Sequence, residues 1–172
     1  MKLNVLPILI LLVAPLLLFT GCASSGASRF SQPLNTKLSN YKTVVVSVKS
    51  NVANTEALVM QIEGAILSAL KNQGKFLKVS SSVIGNAADT ELKVAVTITE
   101  VEDVDTFNRV MLGAFAGQGK VHADLELTES QSGKILAKGS IEGKTSGGSI
   151  FAGTTPEAAE RVAEEVVRLM SL

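Results

Sequence analysis

The chain is poor in the residues on which many functions rest. Its 172 residues include no Trp, one Tyr, one His and one Cys. Lys plus Arg equals Asp plus Glu at 16 each, so the formal charge is zero. That balance removes the electrostatic basis for nucleic-acid binding, which depends on neutralising phosphates with basic side chains. The scarcity of Trp and Tyr argues against a carbohydrate site built on stacked aromatic rings. One cysteine excludes an intrachain disulfide, so a folded domain must rely on an ordinary hydrophobic core.

What is abundant comes first in the chain. After Lys2, an uncharged apolar run extends from Val5 to Phe19. This is the length of a signal-peptide core and falls short of the roughly 20 residues that span a bilayer. Pro7 and Pro15 also interrupt it as a continuous helix. The run ends in Phe19-Thr20-Gly21-Cys22, which resembles the bacterial lipobox, with Phe19 standing where Leu is usual. Residues 1–21 therefore read as a lipoprotein signal peptide, and Cys22 as the acylated first residue of the mature chain. Each buried methylene adds about 0.8 kcal/mol, and one acyl chain alone binds marginally, so several chains on one cysteine make a stable anchor. Ala23, rather than Asp, follows Cys22; by resemblance to the bacterial sorting rule this directs the protein to the outer membrane of a Gram-negative cell.

Residues 22–40 are rich in Ser, Asn and Gly and lack periodicity, which reads as a flexible tether. Phe30 within it is a possible docking residue. Residues 41–172 have the patterning of one domain. "YKTVVVSV" is a β-branched strand. In "NTEALVMQIEGAILSALKNQG", Leu58, Ile62, Ala65, Ile66 and Ala69 recur at helical spacing, Asn54 or Thr55 suits the cap, and Gly74 suits the stop. "KFLKVS" reads as a second strand.

Three segments then alternate at period two. Leu92, Val94, Val96 and Ile98 share one face, as do Val121, Ala123, Leu125 and Leu127. Ile135, Ala137, Gly139 and Ile141 do the same after the "SQSG" turn. Such alternation predicts antiparallel strands with one face on a core and one in water. The chain closes with an amphipathic helix. Thr154 and Glu157 have capping-box spacing, and i,i+4 pairs are expected between Arg161 and Glu165 and between Glu164 and Arg168. The order β-α-β-β-β-β-α predicts an α+β domain of two layers, with both helices on one face of a mostly antiparallel sheet.

The candidates for chemistry fail at named positions. "MLGAFAGQG" is glycine-rich, but a phosphate loop ending at Gly119-Lys120 requires Gly at Ala114 and a hydroxyl at Val121. A dinucleotide loop would need glycine at His122. The alternation puts His122 on the solvent face of its strand, where no serine or carboxylate arrangement marks it as catalytic. Glu100, Glu102, Asp103 and Asp105 could propose a metal, yet an EF-hand loop needs an oxygen donor at Phe107. No cofactor or metal is therefore expected, and an enzyme is the reading these residues support least.

The hairpin turn near Gln131 and Ser132 makes residues whose numbers sum to 263–265 face one another. That brings "MLGAFAGQG" towards "GGSIFAG", two glycine-framed apolar segments at one end of the sheet. Two readings stand for them. Glycines allow turns and close approach while the side chains cap the core; alternatively Gly113, Phe115, Gly117, Ile150 and Phe151 form an exposed patch for a protein partner, for self-association, or for the lipid surface.

A strand ending in acidic residues, Arg109, "LGAFAGQG", an alternating strand, "ESQSGKIL", a returning strand and a C-terminal Ala/Glu helix together resemble a family of bacterial envelope lipoproteins. This family is known as domain of unknown function 4410. The likeness covers about residues 41–171. It implies a periplasm-facing lipoprotein domain and brings no known catalytic residues. The expectation is an outer-membrane lipoprotein with a non-catalytic domain for partner binding or self-assembly. Its alternative is a binder of lipid or another small apolar ligand, with the hairpin end as the mouth of a pocket.

Replacing Cys22 by Ser is expected to move the protein out of the outer-membrane fraction in cell fractionation. Retention of the variant there would show that acylation is not the anchor.

Overall fold

The computed structural model describes residues 26–81, 91–102, 119–145 and 154–172. The leader, Cys22, Asp103, Asp105 and all five residues of the expected patch lie outside them. Strand β1 is Gly26–Gln32, followed by β2 (Thr43–Ser50), helix α1 (Glu56–Gln73), β3 (Lys78–Ser80), β4 (Glu91–Glu102), β5 (Lys120–Glu129), β6 (Ile135–Lys144) and helix α2 (Thr155–Leu169). The strands form one sheet in the order β1-β6-β5-β4-β2-β3. Three of the neighbouring pairs are antiparallel, while β2 is parallel to both β3 and β4. The expected α+β architecture is observed, with one strand more than the sequence pattern suggests.

The extra strand is β1, in the segment read as tether. Gly26–Gln32 pairs with β6, and a 3-10 turn follows at Leu38–Asn40. Its composition conceals it because most of its side chains are exposed at the sheet edge. What holds it is backbone pairing, plus Phe30, which packs against the core. Ser31 donates to the Lys138 carbonyl and Gln32 to the Ile135 carbonyl, completing the bonding where the register shifts.

The core is the layer between sheet and helices. Val44, Val46, Leu92, Val94, Ile98, Leu125, Leu127 and Ile141 are buried on one side of the sheet, against Ile62, Ile66 and Leu70 of α1 and Val162 and Val166 of α2. The period-two faces read from the sequence are inward, with one exception: the register shift between Leu127 and Thr128 pairs Ile135 with Thr128 on the outer face and turns Leu136 into the core in its place. The β5–β6 register runs from Lys120↔Lys144 to Leu127↔Ala137, a constant sum within the expected range. It is set by the turn, where Gly133 takes a positive φ of 69°.

Both helices begin at the same end of the sheet. Thr154 caps α2 by accepting from the Glu157 N–H at 3.4 Å. At α1 the cap residue is Thr55, but its hydroxyl is spent on Ser50 Oγ at 2.6 Å and the Val52 carbonyl at 2.7 Å. Gly74, at φ 64°, ends α1 as expected.

Seating α2 on β6 depends on one missing side chain. A Cβ on Gly143 would lie 2.1 Å from the Ala158 carbonyl oxygen and 3.0 Å from Val162. Gly64, on the exposed side of α1, has no heavy atom within 4 Å of the equivalent point. Gly143→Ala is expected to destabilise the domain by about 3 kcal/mol through forced helix displacement. Gly64→Ala should stabilise it by about 0.5–1 kcal/mol through helix propensity. Urea denaturation of the two variants checks the contrast.

Candidate functional site

The end of the sheet where both helices start is also where the glycine-rich segments leave. β4 finishes at Glu102, β5 begins at Lys120 and β6 finishes at Lys144, with Glu102 opposite Lys120 and Lys120 opposite Lys144. Gly119 and Thr145 close the ladder. The Gly119 N–H donates to Thr145 Oγ1 at 3.0 Å, and the Thr145 N–H donates to the Gly119 carbonyl at 3.1 Å. Thr145 is buried in this arrangement. The two candidate segments thus start from directly bonded neighbours, as the hairpin arithmetic requires, although Gly113, Phe115, Gly117, Ile150 and Phe151 themselves are outside the described residues.

The chain's own N-terminal part arrives at this end too. Gly26 is the partner of Gly143, one position from the end of β6. The carboxylate of Glu165 on α2 fastens β1 from below. It accepts from Arg168 at 2.6 and 2.8 Å and is also hydrogen-bonded by Ser28. Gly26 comes close enough that an added Cβ would stand 3.5 Å from Glu165 Cβ. The expected i,i+4 pairs on α2 are replaced by i,i+3 pairs, Arg161–Glu164 at 2.6 Å and Glu165–Arg168. The reason is the unforeseen strand: Glu165 is covered by β1 rather than facing water.

On the face of the sheet turned away from the helices, charges alternate across the strands. Lys120 bonds Glu102 at 2.6 Å, Glu142 takes Lys144 at 2.5 Å and His122 at 3.4 Å, and Lys138 meets Glu126 at 3.2 Å. The hydrogen bond from Lys120 lowers the Glu102 carboxyl below its ordinary range. His122 stands between Glu100 and Glu142 in the ladder, half-buried on this open face, which is the surface position the alternation predicts. Among the described residues, no group of three or more His, Cys, Asp or Glu side chains is disposed to hold a metal ion. None of the helices described is long and apolar enough to cross a membrane.

At the opposite end of the molecule, Leu38, Phe76 and Met170 line a groove of about 370 Å³ with Lys37 and Lys75 at its margin. The pocket mouth expected at the hairpin end lies outside the described residues.

The sequence matches the family described as "Domain of unknown function (DUF4410)" over residues 30–148. The chain belongs to this family. The match to DUF4410 starts at Phe30, inside β1, so the segment read as tether is partly family domain. No curated protein matches the sequence. Among solved structures, the DUF4410 chain is similar to a PelC dodecamer from Paraburkholderia phytofirmans, at 13% identity and TM-score 0.59, covering 84% of this chain and 96% of that one. A second PelC dodecamer structure from the same organism gives 15% identity and TM-score 0.56, with 84% and 97% covered. At these identities the likeness is one of fold.

Glu165 supplies a pH test of how the DUF4410 domain holds β1. The Arg168 hydrogen bonds, and then that from Ser28, hold its pKa below the ordinary value, against the opposing effect of burial. A depressed carboxylate contributes stability that is fully present above the unfolded value of about 4.3 and is lost as pH falls through the folded value. The stability advantage of the native protein over Glu165→Gln is therefore expected to be full at pH 6–7 and to shrink below about pH 4. Urea midpoints of both proteins across pH 3–7 measure it; a pH-independent difference would show that the ionised carboxylate is not what matters.

Proposed function

We propose that this chain is an outer-membrane lipoprotein, acylated at Cys22, whose periplasm-facing domain is a non-catalytic module that assembles with further copies of itself in the cell envelope. The observation that carries this reading is the position of Gly26. Only three residues lie between Cys22 and Gly26, and the four Cα–Cα steps reach at most roughly 14 Å. An acyl anchor there would hold the end of the sheet carrying Gly119 and Thr145 against the membrane. The strands would then stand upright on the bilayer, with the two sheet edges turned sideways towards neighbouring molecules. Gly113, Phe115, Gly117, Ile150 and Phe151, on the segments leaving that end, would meet the lipid surface or an envelope protein.

Family membership and fold support the same reading. The PelC structures that share the fold are dodecamers, which makes assembly of like domains the partner chemistry to test first. Light scattering on the detergent-extracted lipoprotein is expected to give several times the mass of one mature chain. A single-chain mass across micromolar concentrations would overturn self-assembly.

A further inference from the structure

The two edges of the sheet are unlike, and their geometry fits one to the other. On one side β1 ends the sheet, and among the described residues no strand pairs with its outer side. On the other side β3 is only three residues long and covers β2 through Thr43–Val45 alone. Among the described residues, Val46–Ser50 of β2 has a strand partner only on its β4 side. Unpaired strand edges are templates for another chain unless charge, proline or a bulge blocks them. In β1 the bulge lies between Phe30 and Gln32, leaving Gly26–Phe30 regular, without proline and with Arg29 as its one charge.

We propose that Gly26–Phe30 of one copy pairs antiparallel with Val46–Ser50 of the next, extending the sheet from molecule to molecule. This inference rests on the self-assembly reading above and names the surface that accomplishes it. Strand direction is the first argument. β4 runs parallel to β2, β5 opposes β4, β6 opposes β5 and β1 opposes β6, so β1 runs antiparallel to β2 within one molecule. Two copies placed side by side in the same orientation therefore meet as an antiparallel pair with no inversion. Every copy keeps the Gly26 end on the same side, as molecules anchored to one membrane require. Pairing β1 with a second β1 antiparallel would instead turn the two anchored ends in opposite directions. A head-to-tail contact of unlike edges closes into a ring when its rotation permits.

Register is the second argument. Phe30 lies level with Val48 through the ladder Phe30–Gly139–Leu125–Val96–Val48, so both belong to the helix-bearing face. At equal height Arg29 would oppose Lys49 of the neighbour, and like charges directly opposite are unfavourable. A slip of two residues keeps every side chain on its face and removes that clash. It sets Gly26 against Ser50, Ser28 against Val48 and Phe30 against Val46, with Arg29 against Ser47 and Ala27 against Lys49. This register uses the five residues of β2 that have no second strand partner among the described residues, and the regular part of β1.

Ala27 and Lys49 are both exposed, and opposed residues of an antiparallel pair lie within disulfide reach. The full-length Ala27→Cys/Lys49→Cys double variant, oxidised in native membranes, is expected to give a ladder of covalent multimers on non-reducing gels. Membranes co-expressing the two single variants should give dimers, and each single variant alone none. A multimeric protein by light scattering that yields no such crosslinks overturns the edge pairing and leaves self-assembly standing. A monomer by light scattering overturns both. A covalent dimer from Ala27→Cys alone means that β1 meets β1, which overturns the proposed pairing.

Discussion

The approach of α2 to β6 at Gly143 is the contact on which the remaining architecture depends. A helix can lie against a strand with its Ala158 carbonyl where a Cβ would otherwise be only because the strand has no side chain there. That seat brings Val162 and Val166 into the core and turns Glu165 towards the sheet edge. Glu165 in turn meets Ser28 and Gly26, so the position of the last helix decides where the first strand can lie. β6 supplies the complementary glycine at 139, where an added Cβ would stand 2.4 Å from the Arg29 carbonyl oxygen. Two glycines on one strand, four residues apart, thus accommodate a helix on the face and a strand at the edge.

This arrangement gathers the features of the candidate site at one end. The β1 start, both helix starts and the Gly119–Thr145 closure all belong to it. The open face carries paired charges of both signs, as suits a surface in water. The proposed association uses the backbone hydrogen-bonding groups at the lateral edges, which supply affinity while the opposed side chains set register. Such pairing needs neither aromatic residues nor net charge.

The parts legible beforehand were those where side chains carry the signal. Val121, Ala123, Leu125 and Leu127 alternate because β5 has one dry face and one wet face, so the strand, its facing and its hairpin register could all be read. His122 on the open face followed from the same alternation. β1 could not be read in this way. Its side chains are mostly exposed, and what defines it as a strand is the backbone of β6, more than a hundred residues away in sequence. The pairing of Arg168 with Glu165 at i,i+3 was hidden for the same reason, since the covering strand was not foreseen. For the patch, hairpin arithmetic reached as far as the Gly119–Thr145 bonds that join the roots of its two segments.

The amino-acid sequence by itself determined both helices, every described strand but β1, most of the inward faces and the hairpin register, because each follows from local periodicity and turn chemistry within a few residues. It also carries the lipobox-like run at residues 19–22 on which the proposed acylation of Cys22 rests. Tertiary structure alone decided that Ser28 and Glu165 meet, that the first strand lies at one edge with a short β3 at the other, and that the Gly26 end is also the glycine-segment end. These are relations between residues far apart in the chain. They arise from strand directions and close backbone approach, for which no local pattern of side chains exists.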